Sequence, residues 1–138
     1  MESAREKLIK LIVAGQKSEE NKKFGEFIVQ TNKVQFYLSI LVVLQSFFPD
    51  KKYREYVEGA EFGSVINLFC ACGKNEEGTV KFIKRLRKYK KQRNRLAHKM
   101  FSAEKLTKKE CEQAIIEGEK ILKDLSVFIK EKLPGIEI

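Results

Sequence analysis

Histidine occurs once in these 138 residues, tryptophan is absent, and proline occurs only at Pro49 and Pro134. A single imidazole, remote in sequence from all three cysteines, leaves no plausible zinc-ligand set. Glycines such as Gly59, Gly63, Gly73 and Gly78 are scattered rather than clustered, so no glycine-rich phosphate loop is present. Sparse Gly/Pro punctuation and the lack of alternating strand patterns also argue against a turn-rich β architecture. The cysteines, Cys70, Cys72 and Cys111, are odd in number, and the charged start Met1-Glu2-Ser3-Ala4-Arg5-Glu6 is no secretory signal. Both features predict reduced thiols and a cytoplasmic location. Cys70-Ala71-Cys72 lacks the two-residue gap of common zinc and redox pairs, so the cysteines read as small hydrophobes in helices.

Long hydrophobic runs are scarce as well. The longest spans residues 34–48 and is broken by Gln35, Ser39, Gln45 and Ser46. As a helix it would extend about 22 Å, short of a hydrocarbon core of about 30 Å, so no membrane span is expected. A helix apolar on more than one side is the central helix of a bundle or one that also faces a second subunit. The two readings are compatible, and both stay open.

The apolar and charged fractions, 43% and 34%, fit one soluble globular domain over residues 1–138. Lys, Glu, Leu and Ile dominate, which predicts an all-α fold, an antiparallel helical bundle of four to five helices with short connections. Helix one covers about residues 3–16 and buries Leu8, Ile9, Leu11 and Ile12. Ser18 would cap helix two, about residues 19–48, which Pro49-Asp50 ends. A short helix over 51–58 follows, then one over 62–72 with Val65, Ile66, Leu68 and Phe69 at helical spacing. Gly73-Lys74-Asn75 reads as a stop and a new cap. The next helix, with Glu76 and Glu77 in its first turn, runs to about Phe101. Thr107-Lys108-Lys109-Glu110 is a capping box opening the last helix, which stops before Pro134-Gly135.

The charge is concentrated. Net charge is +9, yet residues 80–99 hold ten Lys or Arg and no Asp or Glu, so the other 118 residues sum to about −1. The only histidine, His98, lies in this block. Along the same helix the apolar residues are Phe82, Leu86, Tyr89, Leu96 and Met100, and the missing member of that stripe is Arg93. An arginine is almost never buried alone, so Arg93 either pairs with an acid inside the bundle or marks an opening into a cleft. Asn94 and His98, four apart, share a helix face, and His98 lies about 140° around the axis from Arg93.

Arg93-Asn94-Arg95-Leu96-Ala97-His98, late in the penultimate helix, resembles the HEPN superfamily, whose hallmark is an Arg followed after four to six residues by a His. Arg93 and His98 match it with a gap of four, and Asn94 matches the polar residue that commonly follows the Arg. Phe62-Gly63-Ser64-Val65-Ile66 is similar to the helix start of many members. The resemblance implies a bundle that forms a homodimer, with two copies of the Arg/His helix flanking one cleft. Many such proteins are metal-independent endoribonucleases, often toxins or defence effectors, that use the 2′-hydroxyl of RNA to cut its backbone. It also implies a separate antitoxin or nucleotidyltransferase partner. Members paired with a nucleotidyltransferase carry Tyr two residues after the His, where this chain has Met100, so nucleotide transfer to that position is not supported.

The residues suit that chemistry. Cleavage through the 2′-hydroxyl needs a base, an acid and a cation for the phosphorane, and no cofactor. His98 would be acid or base, with a second copy supplying the other role. Arg93 would fork two hydrogen bonds to phosphate, and Asn94 would orient the imidazole or bind a phosphate oxygen. Arg87, Lys90, Lys91, Arg95 and Lys99 would hold the RNA backbone without reading its sequence. A noncatalytic RNA-binding or regulatory interaction module, with the same bundle and a structural Arg93–Asn94–His98 set, is the alternative, and a merely solvated Lys-rich face is the third reading.

Overall fold

The computed structural model describes residues 2–16, 19–45, 51–72, 77–102 and 104–135 (backbone only for 11–16 and 77). All regular structure among them is helical: α1 Ala4–Gln16, α2 Glu19–Gln45, α3 Lys51–Gly59, α4 Phe62–Cys72, α5 Glu77–Met100 and α6 Lys108–Lys132. The expected caps and breaks at Ser18, Pro49-Asp50 and Gly73-Lys74-Asn75, and the first-turn Glu76, lie outside the described residues.

The core is built from one face each of α2, α4, α5 and α6. Phe24, Phe27, Val34, Leu38, Leu41 and Val42 on α2 are buried with Phe62, Val65, Ile66 and Phe69 on α4. Phe82, Leu86, Tyr89 and Leu96 of the α5 stripe and Ile121, Leu125 and Ile129 of α6 complete it. Met100 is half-buried at the stripe's end. Phe69 and Phe128 both meet Phe82 edge to face, at 6.0 and 5.3 Å between centroids, which locks one end of the bundle.

Cross-helix contacts give the helix directions. Arg85 reaches Glu117 and Asp124 while Lys99 reaches Glu110, so α5 and α6 are antiparallel. Asn67–Arg87 and Phe62–Tyr89 make α4 and α5 antiparallel too. By contrast, Lys108 meets Glu19, and Gln30 meets the Ile115 carbonyl, so α2 runs in the same direction as α6. The short helix α3 carries the chain back along α2, where the Gln35 amide donates to the Ala60 carbonyl at 2.9 Å. That return makes α2 and α4 co-directional and leaves α5 as the one long helix opposed to the rest.

The capping box is present. Thr107 Oγ1 accepts from the Glu110 N–H at 3.2 Å, and the Glu110 carboxylate accepts from the Thr107 N–H at 3.1 Å. Thr107→Ala is expected to cost about 1 kcal/mol, read as a lower urea midpoint with an unchanged slope.

Two faces differ from the simplest expectation. Leu8 and Ile9 are 54% and 50% exposed, not buried, because α1 lies only lightly against α2. Leu11 and Ile12 lie outside the described side chains. By length and composition alone α2 could cross a membrane, yet its inward side is the centre of the bundle. Its outward side also carries apolar groups. Phe36 is 60% exposed, and with Ile40, Val43 and Leu44 it lines a groove of about 390 Å³ between α2 and α3, edged by Arg54 and Glu58.

Candidate nucleic-acid interface

Helix α5 carries the whole candidate site, and its buried stripe fixes which residues face outward. Tyr89 is fully buried, one turn before Arg93. Its hydroxyl donates to Gln30 Oε1 at 2.8 Å and lies 3.3 Å from Thr31 Oγ1, and burial pushes its pKa up to about 12. The phenol is therefore a neutral donor that pins α5 to α2. Gln30 in turn donates to the Ile115 carbonyl at 2.7 Å, which ties the same point to α6.

Arg93 sits half-buried above this anchor. No acid pairs with it among the described residues. Its Cζ instead lies 5.7 Å from the ring centroid of Phe62, the first residue of α4. Its Nε and Nη2 donate to Asn94 Oδ1 at 3.2 and 2.9 Å. An aromatic face replaces the acid, and the charged head stays at the surface, as long basic side chains do. The sequence flagged both Phe62 and Arg93, but no spacing rule relates residues so far apart in the chain.

Asn94 therefore holds Arg93, and no hydrogen bond links it to His98 among the described residues. The His98 side chain is 70% exposed, with Nε2 3.8 Å from Glu104 Oε1. At that distance the pair is electrostatic rather than hydrogen-bonded. The Glu104 N–H donates to Ser102 Oγ at 3.2 Å, a local turn that carries the carboxylate back toward the helix end.

The predicted RNA contacts separate into three groups. Lys91 and Arg95, with Lys88 and Gln92, line a shallow recess of about 250 Å³ on the outer face of α5. Lys88 is the member missed earlier, although the spacing 88, 91, 95 marks one helix face. Arg87 donates from Nη1 to Asn67 Oδ1 at 3.1 Å and remains exposed, and Lys90 lies across Gly63 of α4, where a Cβ would come within 2.6 Å of its Nζ. Lys99 is different. Its Nζ pairs with Glu110 at 2.5 Å, so its charge is spent on joining α5 to the start of α6.

That pair has a pH consequence. The Lys99 hydrogen bond, with help from the Thr107 cap, holds the Glu110 carboxyl below its ordinary 4.5, although partial burial opposes this. A depressed folded-state pKa stabilises the fold fully above about pH 4.5, and the gain disappears as pH falls through the lower folded value. Urea midpoints measured downward from about pH 6 should therefore fall more steeply for the wild type than for Glu110→Gln below that point.

Among the described residues no group of three or more His, Cys, Asp or Glu side chains is placed to hold a metal ion. Cys111 is buried, Cys72 half-buried and Cys70 exposed, so the small-hydrophobe reading describes Cys111 best. No family model matches this chain, and neither the curated proteins nor the solved structures compared with it include a match.

Proposed function

We propose that the protein is a dimeric, metal-independent endoribonuclease of the HEPN type, with Arg93 and His98 as its catalytic residues and Asn94 in support. One observation carries the reading: a guanidinium held in place and a solvent-exposed imidazole project from one cationic helix, whose outer face also carries a recess of Lys88, Lys91, Gln92 and Arg95 with no acidic partner among the described residues. The recess takes backbone phosphates, and Arg87 and Lys90 extend the track. The RNA 2′-oxygen attacks the adjacent phosphorus as one imidazole takes its proton. The P–O5′ bond breaks as a protonated imidazole from the second copy supplies a proton to the departing O5′. Arg93 donates to the non-bridging oxygens as charge builds on them. The products are a 2′,3′-cyclic phosphate and a 5′-hydroxyl.

A second copy is needed because one His98 cannot act as acid and base at once. The apolar groove formed by exposed Phe36 with half-buried Ile40 and Val43 supports such a partner. The separation of His98 from the Arg93–Asn94 pair favours the other reading, a noncatalytic RNA-binding module. Incubating the protein with RNA in chelator and mapping the product ends decides between them. Cyclic phosphate ends support the nuclease. Intact RNA bound with strong salt sensitivity assigns the protein to the binding module.

A further inference from the structure

The tolerance of Arg93 in a core stripe has its cause on another helix. Phe62 is only 2% exposed, so its ring is fixed by the core rather than by solvent. It packs edge to face with Tyr89, with centroids 6.4 Å apart and planes at 72°. Tyr89 is itself anchored by Gln30, and its other aromatic neighbour is Phe27 at 5.4 Å. The chain Phe27–Tyr89–Phe62 thus runs from the bundle centre to the surface and ends beneath the Arg93 guanidinium, 5.7 Å from the last ring.

Two restraints act on that guanidinium. The Phe62 ring attracts it through its quadrupole and blocks inward movement. The Asn94 carbonyl oxygen takes the Nε and Nη2 hydrogens and limits rotation. The N–H bonds left over, on Nη1 and the outer side of Nη2, form the end-on fork that fits two phosphate oxygens. An arginine on an ordinary surface helix would sample many rotamers and lose that freedom on binding an anion. Here much of that freedom is already lost before any anion arrives.

We propose that Phe62 is a positioning residue for Arg93, presenting its guanidinium in one orientation to a phosphodiester of bound RNA. Its effect on turnover rests on the nuclease reading, whereas its effect on the Arg93 side chain does not. A simple filler role would be met by Leu or Met, which match its apolar bulk but lack a π face. Phe62→Leu, Phe62→Met and Phe62→Tyr are therefore compared by melting temperature, by the Arg93 Nε–Hε resonance (assigned with Arg93→Lys), and by kcat and KM for RNA. The Leu and Met variants should fold and move the Arg93 resonance away from its ring-shifted position. Their kcat should fall about tenfold with KM changed less than about twofold, while Phe62→Tyr stays close to wild type. An unmoved Arg93 resonance in a folded Leu or Met variant overturns the proposal, as does an unchanged kcat accompanied only by a lower melting temperature. Should the wild type cleave no RNA, the nuclease reading alone fails. The resonance, with the affinity for an uncleavable 2′-deoxy strand, then decides the role of Phe62: a displaced signal with weaker binding supports it, and no change in either overturns it.

Discussion

His98→Ala is expected to lower RNA cleavage about 10²–10⁴-fold while leaving the fold and most of the RNA affinity in place. The size follows from the proposed mechanism, in which two copies of His98 transfer protons at the 2′-oxygen and the 5′-oxygen and are both lost in the variant. The selectivity follows from where the side chain sits. It is largely exposed, and among the described residues its one partner is Glu104 at 3.8 Å, so truncation opens no cavity and orphans no buried group. The recess of Lys88, Lys91 and Arg95, the proposed phosphate contact, is untouched by the substitution. Paired measurements of cleavage in chelator and of binding to an uncleavable strand separate the two properties. Unchanged turnover in His98→Ala would remove the imidazole from the mechanism and favour the noncatalytic module. Loss of binding and melting temperature together would instead mark His98 as structural.

The sequence exposed much of α5 and little of what surrounds it. A 3.6-residue period is imposed by the helix itself, so Phe82, Leu86, Tyr89 and Leu96 could be placed inward, and all four are buried. The capping box at Thr107 and Glu110 is equally local, and both of its hydrogen bonds are present. Periodicity does not say what stands opposite a face, however. It assigned Leu8 and Ile9 to the interior, but both are about half exposed. It counted Lys99 among the RNA contacts, although Glu110, eleven residues away across a turn, neutralises it. It left Arg93 with a choice between an acid and a cleft and did not name the ring of Phe62, which only the packing of α4 on α5 brings near. The direction of α2 was hidden for the same reason. Only contacts such as Glu19–Lys108 and Gln30–Ile115 show that it runs alongside α6 rather than against it.

The largest stability effect is expected at Gly118, a residue with no mark in the sequence. It lies buried in α6, where a Cβ would fall on the Gln30 amide and stand 2.8 Å from the Tyr89 hydroxyl. In an ordinary helix interior Gly→Ala gains about 1 kcal/mol from backbone entropy and propensity. Here the methyl group must displace Gln30, whose amide satisfies both the Ile115 carbonyl and the Tyr89 hydroxyl. Leaving those buried groups unpaired costs about 1–3 kcal/mol each, and crowding adds to the loss. The penalties exceed the propensity gain, so Gly118→Ala should destabilise by about 2–3 kcal/mol, with a melting temperature lower by roughly 8–12 °C for a chain of this length. The cause can be isolated with Gln30→Ala, which removes the two nearest clashes and leaves only the contact with the Tyr89 hydroxyl. In that background Gly118→Ala should cost much less than in the wild type, a coupling that two independent sites would not show. Equal losses in both backgrounds would mean that the three-helix contact among Gln30, Tyr89 and Gly118 does not set the packing of α6. The same contact anchors α5 one turn below Arg93, so the double-mutant cycle also tests the support on which the candidate site stands.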